Sequence, residues 1–198
     1  ANFSKMSHKE NQIPFLYRRD ILDNNQCLEI VKEFWKNKNL HKNVNTSNKV
    51  STDLQCKFSE KNTRILLSKS INYISDALTI AINDYTKLYP QTKKLYLDWG
   101  LYDNFNLQFY QPHQGFGGYH CENLGKDYSD SNTRFLVWTI YLSNTLDGGT
   151  EFLHQNHIEK CKMGKVIIFP ADWTFTHRSQ ISTTQCKLIA TGWLNYKL

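Results

Sequence analysis

Apolar residues fall at Cys27, Ile30, Val31, Phe34 and Trp35, the i, i+3, i+4, i+7, i+8 spacing of one helix face. Asp23 and Gln26 occupy the N-cap and N3 places of a capping box, so this helix is expected to begin just after Asp23. A second helical stretch is predicted from about Arg64 to Tyr89. Its apolar face is Ile71, Ile74, Leu78, Ile82 and Tyr85, and Pro90 is its stop.

The period changes from Lys94 onward. The segments KLYLDWGLY, FNLQFY, TRFLVWTIYL, GTEFLH, KVIIFP, TFTHRS and CKLIATGWL are short, β-branched and aromatic, with turn residues between them. Such spacing suits a β-barrel or sandwich. The expected fold is α+β, one domain over residues 1–198. Residues 1–93 form a helical N-terminal support, laid against the outer face of a β-core over residues 94–198. The aperiodic segment ENLGKDYSDSNT, 122–133, reads as a loop and a candidate cover for a neighbouring site.

Composition narrows the class. Hydrophobic residues are 40% and charged residues 21% of the 198, a globular rather than a disordered balance. No apolar run approaches the roughly 18–20 residues of a membrane span, and ANFSKMSHKENQ has no signal-peptide core. Five cysteines with no CxxC pair fit neither a disulfide framework nor a zinc ribbon. The expectation is reduced thiols in a cytoplasmic protein without a membrane partner. The net charge of +6 comes from scattered lysines, thickest in WKNKNLHKN, and reads first as a solvated basic surface. It allows a nucleic-acid partner without favouring one.

The candidate chemistry lies in YQPHQGFGGYHCE, residues 110–122. In a strand, residues i and i+2 share a face, so His120 and Glu122 would aim an imidazole and a carboxylate at one point while Cys121 faces away. His177, in TFTHRS, is the best third ligand. Two histidines and a carboxylate on one side of a metal are the facial triad of non-haem Fe(II) oxygenases, which leaves positions open for a co-substrate and O₂. HxE alone is common by chance. His154 and His157 form a rival pair, read as solvated across a turn, and His113 reads as a turn residue. His8 and His41 lie in polar segments and carry no signal. Lys187 sits ten residues after His177 in an apolar strand, where a cation is costly unless it meets an anion.

The order HxE, GG-TEF, GKVIIFPADWTFTHRS and K-x5-W resembles the Fe(II)/2-oxoglutarate-dependent oxygenases of the prolyl-4-hydroxylase-like group, over about residues 95–195. The resemblance implies a double-stranded β-helix, or jelly roll, with His120, Glu122 and His177 as catalytic metal ligands. It implies that Lys187 grips the far carboxylate of 2-oxoglutarate, that Tyr141 hydrogen-bonds the same carboxylate, and that Tyr110 lines the co-substrate pocket. Trp193 takes a packing role, Gly148-Gly149-Thr150 a structural turn, and Arg178 and Thr191 are candidates to line the cavity. Phe109, Phe116 and Trp138 are the rings expected to keep it dry. Fe(II), 2-oxoglutarate and O₂ are the implied cofactors, with ascorbate as an optional reductant.

Most members of the group carry HxD where this chain has Glu122, which keeps the carboxylate and lengthens its reach. The implied substrate is a peptide or protein prolyl residue, with small molecules close behind. The loop 122–133 and the segment 91–108 are expected to select it. Three rivals remain open: an AlkB-type nucleic-acid demethylase, a non-catalytic cupin-like metal-binding module, and a zinc hydrolase. The demethylase lacks its expected arginine pair in the last strand, and the hydrolase gives Lys187 and Tyr141 nothing to do. No feature of the sequence sets an oligomeric state.

Overall fold

The computed structural model describes residues 12–125 and 130–198. His8 and the middle of the proposed cover loop, residues 126–129, lie outside the described residues. In chain order the regular elements are β1 (Tyr17–Asp20), α1 (Asn24–Lys36), β2 (Lys42–Asn45), β3 (Val50–Lys57), α2 (Lys61–Leu66), α3 (Ser68–Leu88), β4 (Trp99–Tyr110), β5 (Arg134–Tyr141), β6 (Thr145–Phe152), β7 (His157–Cys161), β8 (Lys165–Pro170), β9 (His177–Ser179) and β10 (Lys187–Tyr196).

Helix α1 starts as its sequence predicts. The Asp23 carboxylate accepts from the Gln26 N–H at 2.8 Å, and the Gln26 side chain accepts from the Asp23 N–H at 3.0 Å. The expected second helix is broken at Leu67, whose φ of −124° and ψ of 38° leave the helical region and separate α2 from α3.

The strands form two antiparallel sheets, a seven-stranded sheet ordered β1-β8-β5-β10-β4-β3-β2 and a three-stranded sheet ordered β7-β6-β9. The fold is thus the expected α+β arrangement, helices against a jelly-roll-like β-core. The first 93 residues are not purely helical, however, because β1, β2 and β3 join the larger sheet. Strand β3 is not among the strands expected from the sequence, although Val50, Leu54 and Cys56 alternate with Ser51, Asp53 and Gln55. KLYLDWGLY and FNLQFY are not two strands either: they fuse into the single long β4 from Trp99 on.

Strict alternation divides the larger sheet into two faces. Leu136, Trp138 and Ile140 of β5, Val166 and Ile168 of β8, and Leu188, Ala190 and Leu194 of β10 pack with Ile30, Phe34, Ile74 and Leu78 of the helices. The residues between them point the other way, where Val137, Tyr141, Ile167 and Phe169 meet Phe152 and Phe175 beneath the smaller sheet. The second set encloses the site. This parity also overturns two expectations. Trp138 is buried under the helices, and Phe109 packs edge-on against Trp35 with ring centroids 4.9 Å apart, so neither lines the cavity.

A candidate metal centre

The glycine-rich turn before His120 docks against the β2–β3 connection. Gly117 N–H donates to the Asn48 carbonyl at 3.0 Å, and a Cβ on Gly118 would stand 3.1 Å from Asn48 Oδ1. His120 then pairs with His177 through two backbone hydrogen bonds, of 3.0 and 2.9 Å, which extends the smaller sheet by one residue. Neither His120 nor Glu122 lies in a strand of its own. The expected shared face is nevertheless achieved, because the chain runs extended past β9 and Cys121 turns its thiol to the Asn123 carbonyl.

His120 Nε2 stands 3.3 Å and His177 Nε2 3.5 Å from Glu122 Oε1. One donor atom from each of the three residues lies within 4.8 Å of the other two, the tightest such grouping the described residues offer. Each imidazole is fixed from behind: Nδ1 of His120 meets the Gly118 carbonyl, and Nδ1 of His177 meets the Phe175 carbonyl, both at 2.9 Å. A carbonyl only accepts, so Nδ1 donates to it and Nε2 is the atom each ring turns to the centre, a donor to the Glu122 carboxylate when it carries a proton and a lone-pair ligand when a cation takes the proton's place. Phe116 stacks on His120 at 3.7 Å, and Phe169 meets His177 edge-on at 4.9 Å. Burial alone would raise the Glu122 carboxyl, but its hydrogen bonds with His120 and His177 outweigh that and hold it well below the usual carboxylate range. Two nitrogen lone pairs and an ionised oxygen converging on one point are a donor set for a divalent cation.

The triad opens into a cavity of about 230 Å³. Tyr110, Val137, Thr139, Tyr141, Thr150, Phe169, Lys187, Ile189, Thr191 and Trp193 line it, together with Phe116 and Arg178. Pockets for drug-sized ligands span roughly 300–1,000 Å³, so this one suits a small metabolite. Lys187 is 4% exposed, and among the described residues its Nζ reaches the Ser179 hydroxyl, at 3.3 Å, and the face of Tyr110, at 5.0 Å. Burial pushes its amine down to about 8. No carboxylate of the described residues pairs with it, which is what a site for an anion from outside requires. The Tyr141 hydroxyl lies 2.6 Å from Thr150 Oγ1, and both groups face the same space. Tyr110 hydrogen-bonds Gln108 at 2.8 Å.

The remaining histidines of the described residues stay outside. His157 bonds Glu159 at 2.9 Å, His154 packs edge-on against Trp173, and His113 holds a positive-φ turn at 69°. His41 is half-buried and stacks on Phe34 at 4.0 Å. A larger cleft of about 1080 Å³ near Arg18 and Lys160 contains no converging ligand set, since Arg18, His157 and Lys165 are engaged with Glu159.

Sequence reading missed Arg134 and gave Trp193 too small a role. Arg134 Nη1 stands 3.3 Å and Trp193 Nε1 3.1 Å from Glu122 Oε2. The sequence signals for Trp193 were its place in the K-x5-W spacing and its odd-numbered parity with Lys187, Ile189 and Thr191.

No protein-family model matches this chain, nor does any curated protein. Solved structures do. A Pseudomonas putida prolyl-4-hydroxylase shares 16% identity over 93% of this chain and 94% of its own, with a TM-score of 0.66. The viral collagen prolyl hydroxylase of Paramecium Bursaria Chlorella virus-1, in its 2-oxoglutarate complex, shares 19% over 91% and 95%, with a TM-score of 0.60. A Trichoplax adhaerens prolyl hydroxylase bound to a hypoxia-inducible-factor peptide fragment shares 13% over 92% and 83%, with a TM-score of 0.66. At these identities the likeness establishes the fold: this chain has the fold of the prolyl 4-hydroxylases.

Proposed function

We propose that this protein is an Fe(II)- and 2-oxoglutarate-dependent dioxygenase that hydroxylates an unactivated C–H bond, a prolyl residue of a peptide or protein being the favoured substrate. One observation carries the reading. The ammonium of Lys187, unpaired among the described residues, and the converging donors of His120, Glu122 and His177 share one small cavity. A metal site alone explains the triad, but only an anionic co-substrate explains the lysine.

In this reading His120, Glu122 and His177 would hold Fe(II). With the metal bound, O₂ would be the oxidant and 2-oxoglutarate the two-electron reductant, one oxygen atom going to the substrate hydroxyl and the other to succinate, with release of CO₂. The chain's own residues bind and orient. Lys187 holds the far carboxylate of the co-substrate by charge, and Tyr141 with Thr150 adds hydroxyl contacts. Val137, Phe169 and Ile189 exclude water around it. At the edge of the cavity, Arg178, Glu151 and Tyr119 form a partly exposed cluster next to His177, with Glu151 accepting from both neighbours at 2.7 Å. That polar ridge suits a peptide main chain. The cysteines, none of them in a disulfide, fit a reducing cytoplasm.

The test is succinate release measured with Fe(II), 2-oxoglutarate and a panel of proline-containing peptides, free amino acids and alkylated oligonucleotides. Peptide-stimulated release supports the reading. Stimulation by oligonucleotides alone moves it to the demethylase class, and metal binding without turnover of any kind reduces it to a binding module.

A further inference from the structure

Glutamate is one methylene longer than the aspartate of the HxD pattern, so its carboxylate has the freedom to swing both oxygens onto an ion. The surroundings of Glu122 remove that freedom. Oε1 faces the two imidazoles. Oε2 faces away from them and meets Trp193 Nε1 at 3.1 Å and Arg134 Nη1 at 3.3 Å. The same Arg134 Nη1 also donates to the Glu122 carbonyl at 3.1 Å, and the guanidinium lies 3.8 Å over the Trp193 ring. The Glu122 N–H donates to the Ala171 carbonyl at 3.0 Å, so the main chain is held on both sides of the residue.

A carboxylate oxygen has two lone pairs. With two donors on Oε2, that oxygen has no lone pair left for a metal. We propose that Arg134 and Trp193 are positioning residues that restrict Glu122 to a one-oxygen ligand and keep the facing coordination positions open for co-substrate and O₂. The inference rests on the metal reading above and concerns how the longer carboxylate is made to fit it. Arg134 contributes charge and a planar fork, Trp193 a rigid donor, and their stacking fixes both relative to the carboxylate.

The test uses anaerobic Co(II), whose visible absorption reports coordination number independently of turnover. Trp193→Phe keeps the ring beneath Arg134 and removes one donor; Arg134→Lys keeps the charge and removes the fork. Each is expected to lower Co(II) affinity about tenfold and to change the intensity of the visible bands. In a Glu122→Asp background the shorter side chain withdraws from both donors, and Trp193→Phe should then alter affinity by less than about twofold. Equal losses in both backgrounds, or unchanged affinity and spectrum in the glutamate background, overturn the proposal while leaving the metal site standing. Failure of the wild type to take up Co(II) overturns the metal reading and this inference together. Should Trp193→Phe fail to fold, Arg134→Lys against Glu122→Asp decides the question by the same comparison.

Discussion

Lys187 Nζ lies 3.3 Å from the Ser179 hydroxyl and meets no carboxylate of the described residues, although its side chain is buried beside Tyr110. A buried cation with only a hydroxyl and an aromatic face for company costs stability. Its place in the cavity connects the energetics of the fold to a dicarboxylate ligand.

The first prediction separates those two roles. Lys187→Ala is expected to weaken 2-oxoglutarate binding by about 100-fold, the scale of a buried charged hydrogen bond of roughly 3 kcal/mol. Lys187→Met, which fills the same space without charge, should lose affinity to the same extent while raising the melting temperature of the ligand-free protein. Calorimetric titration and thermal unfolding check both. Unchanged affinity in either variant would remove Lys187 from the site.

Acidity gives a second prediction. Burial sets the Lys187 amine at about 8, below the roughly 10.4 of an exposed lysine. Between those values the unfolded chain holds a proton that the folded chain has released. This group therefore makes stability rise as pH increases from about 8 toward 10.4. Affinity for 2-oxoglutarate should move oppositely, falling up to about tenfold per pH unit above 8 as the ammonium is lost. Lys187→Arg, charged throughout, should flatten the affinity profile; an undiminished slope would assign it to another group.

The two faces of β5 make a third. Tyr141→Phe removes a hydroxyl from the cavity and should weaken 2-oxoglutarate binding several-fold, by the roughly 0.5–1.5 kcal/mol of one hydrogen bond. Trp138→Ala, on the helix side, should cost about 3–5 kcal/mol of stability and leave affinity unchanged where the protein remains folded. Denaturant unfolding beside ligand titration distinguishes them, and a Trp138 variant that specifically lost affinity would contradict the facing described here.

A fourth concerns Gly192, where an added Cβ would stand 2.6 Å from Trp138 Cζ2. Because the ring is fully buried and cannot retreat, Gly192→Ala is expected to destabilise by about 1–3 kcal/mol. Trp138→Phe, which vacates that space, should recover part of the loss in the double variant.

How much of this was readable beforehand can be judged residue by residue. The capping box of α1 and the ordered set of His120, Glu122, His177 and Lys187 were legible, because local hydrogen bonding and ligand chemistry act through residue type and spacing. The exclusion of Phe109 and Trp138 from the cavity was legible too, though unread. Each stands an odd number of positions from a cavity residue of its own strand, Tyr110 or Tyr141, and so must face the other side. Strand β3 was legible in part, since Val50, Leu54 and Cys56 alternate with Ser51, Asp53 and Gln55, but Ser51 and Asp53 are buried and so blur the polar face. Its evidence is pairing to β4, a contact about fifty residues away in the chain.

The sequence by itself therefore determined the periods, the alternating faces and the chemistry of the candidate groups: two imidazoles, a carboxylate and a cation. Only the tertiary structure decided that these donors meet, that the lysine has no counter-charge among the described residues, and that Arg134 and Trp193 converge on the outer oxygen of Glu122. Periodicity is a property of neighbouring residues, whereas those meetings depend on strand order and register, which bring together β5, β10 and the turn before β5 from separate stretches of chain.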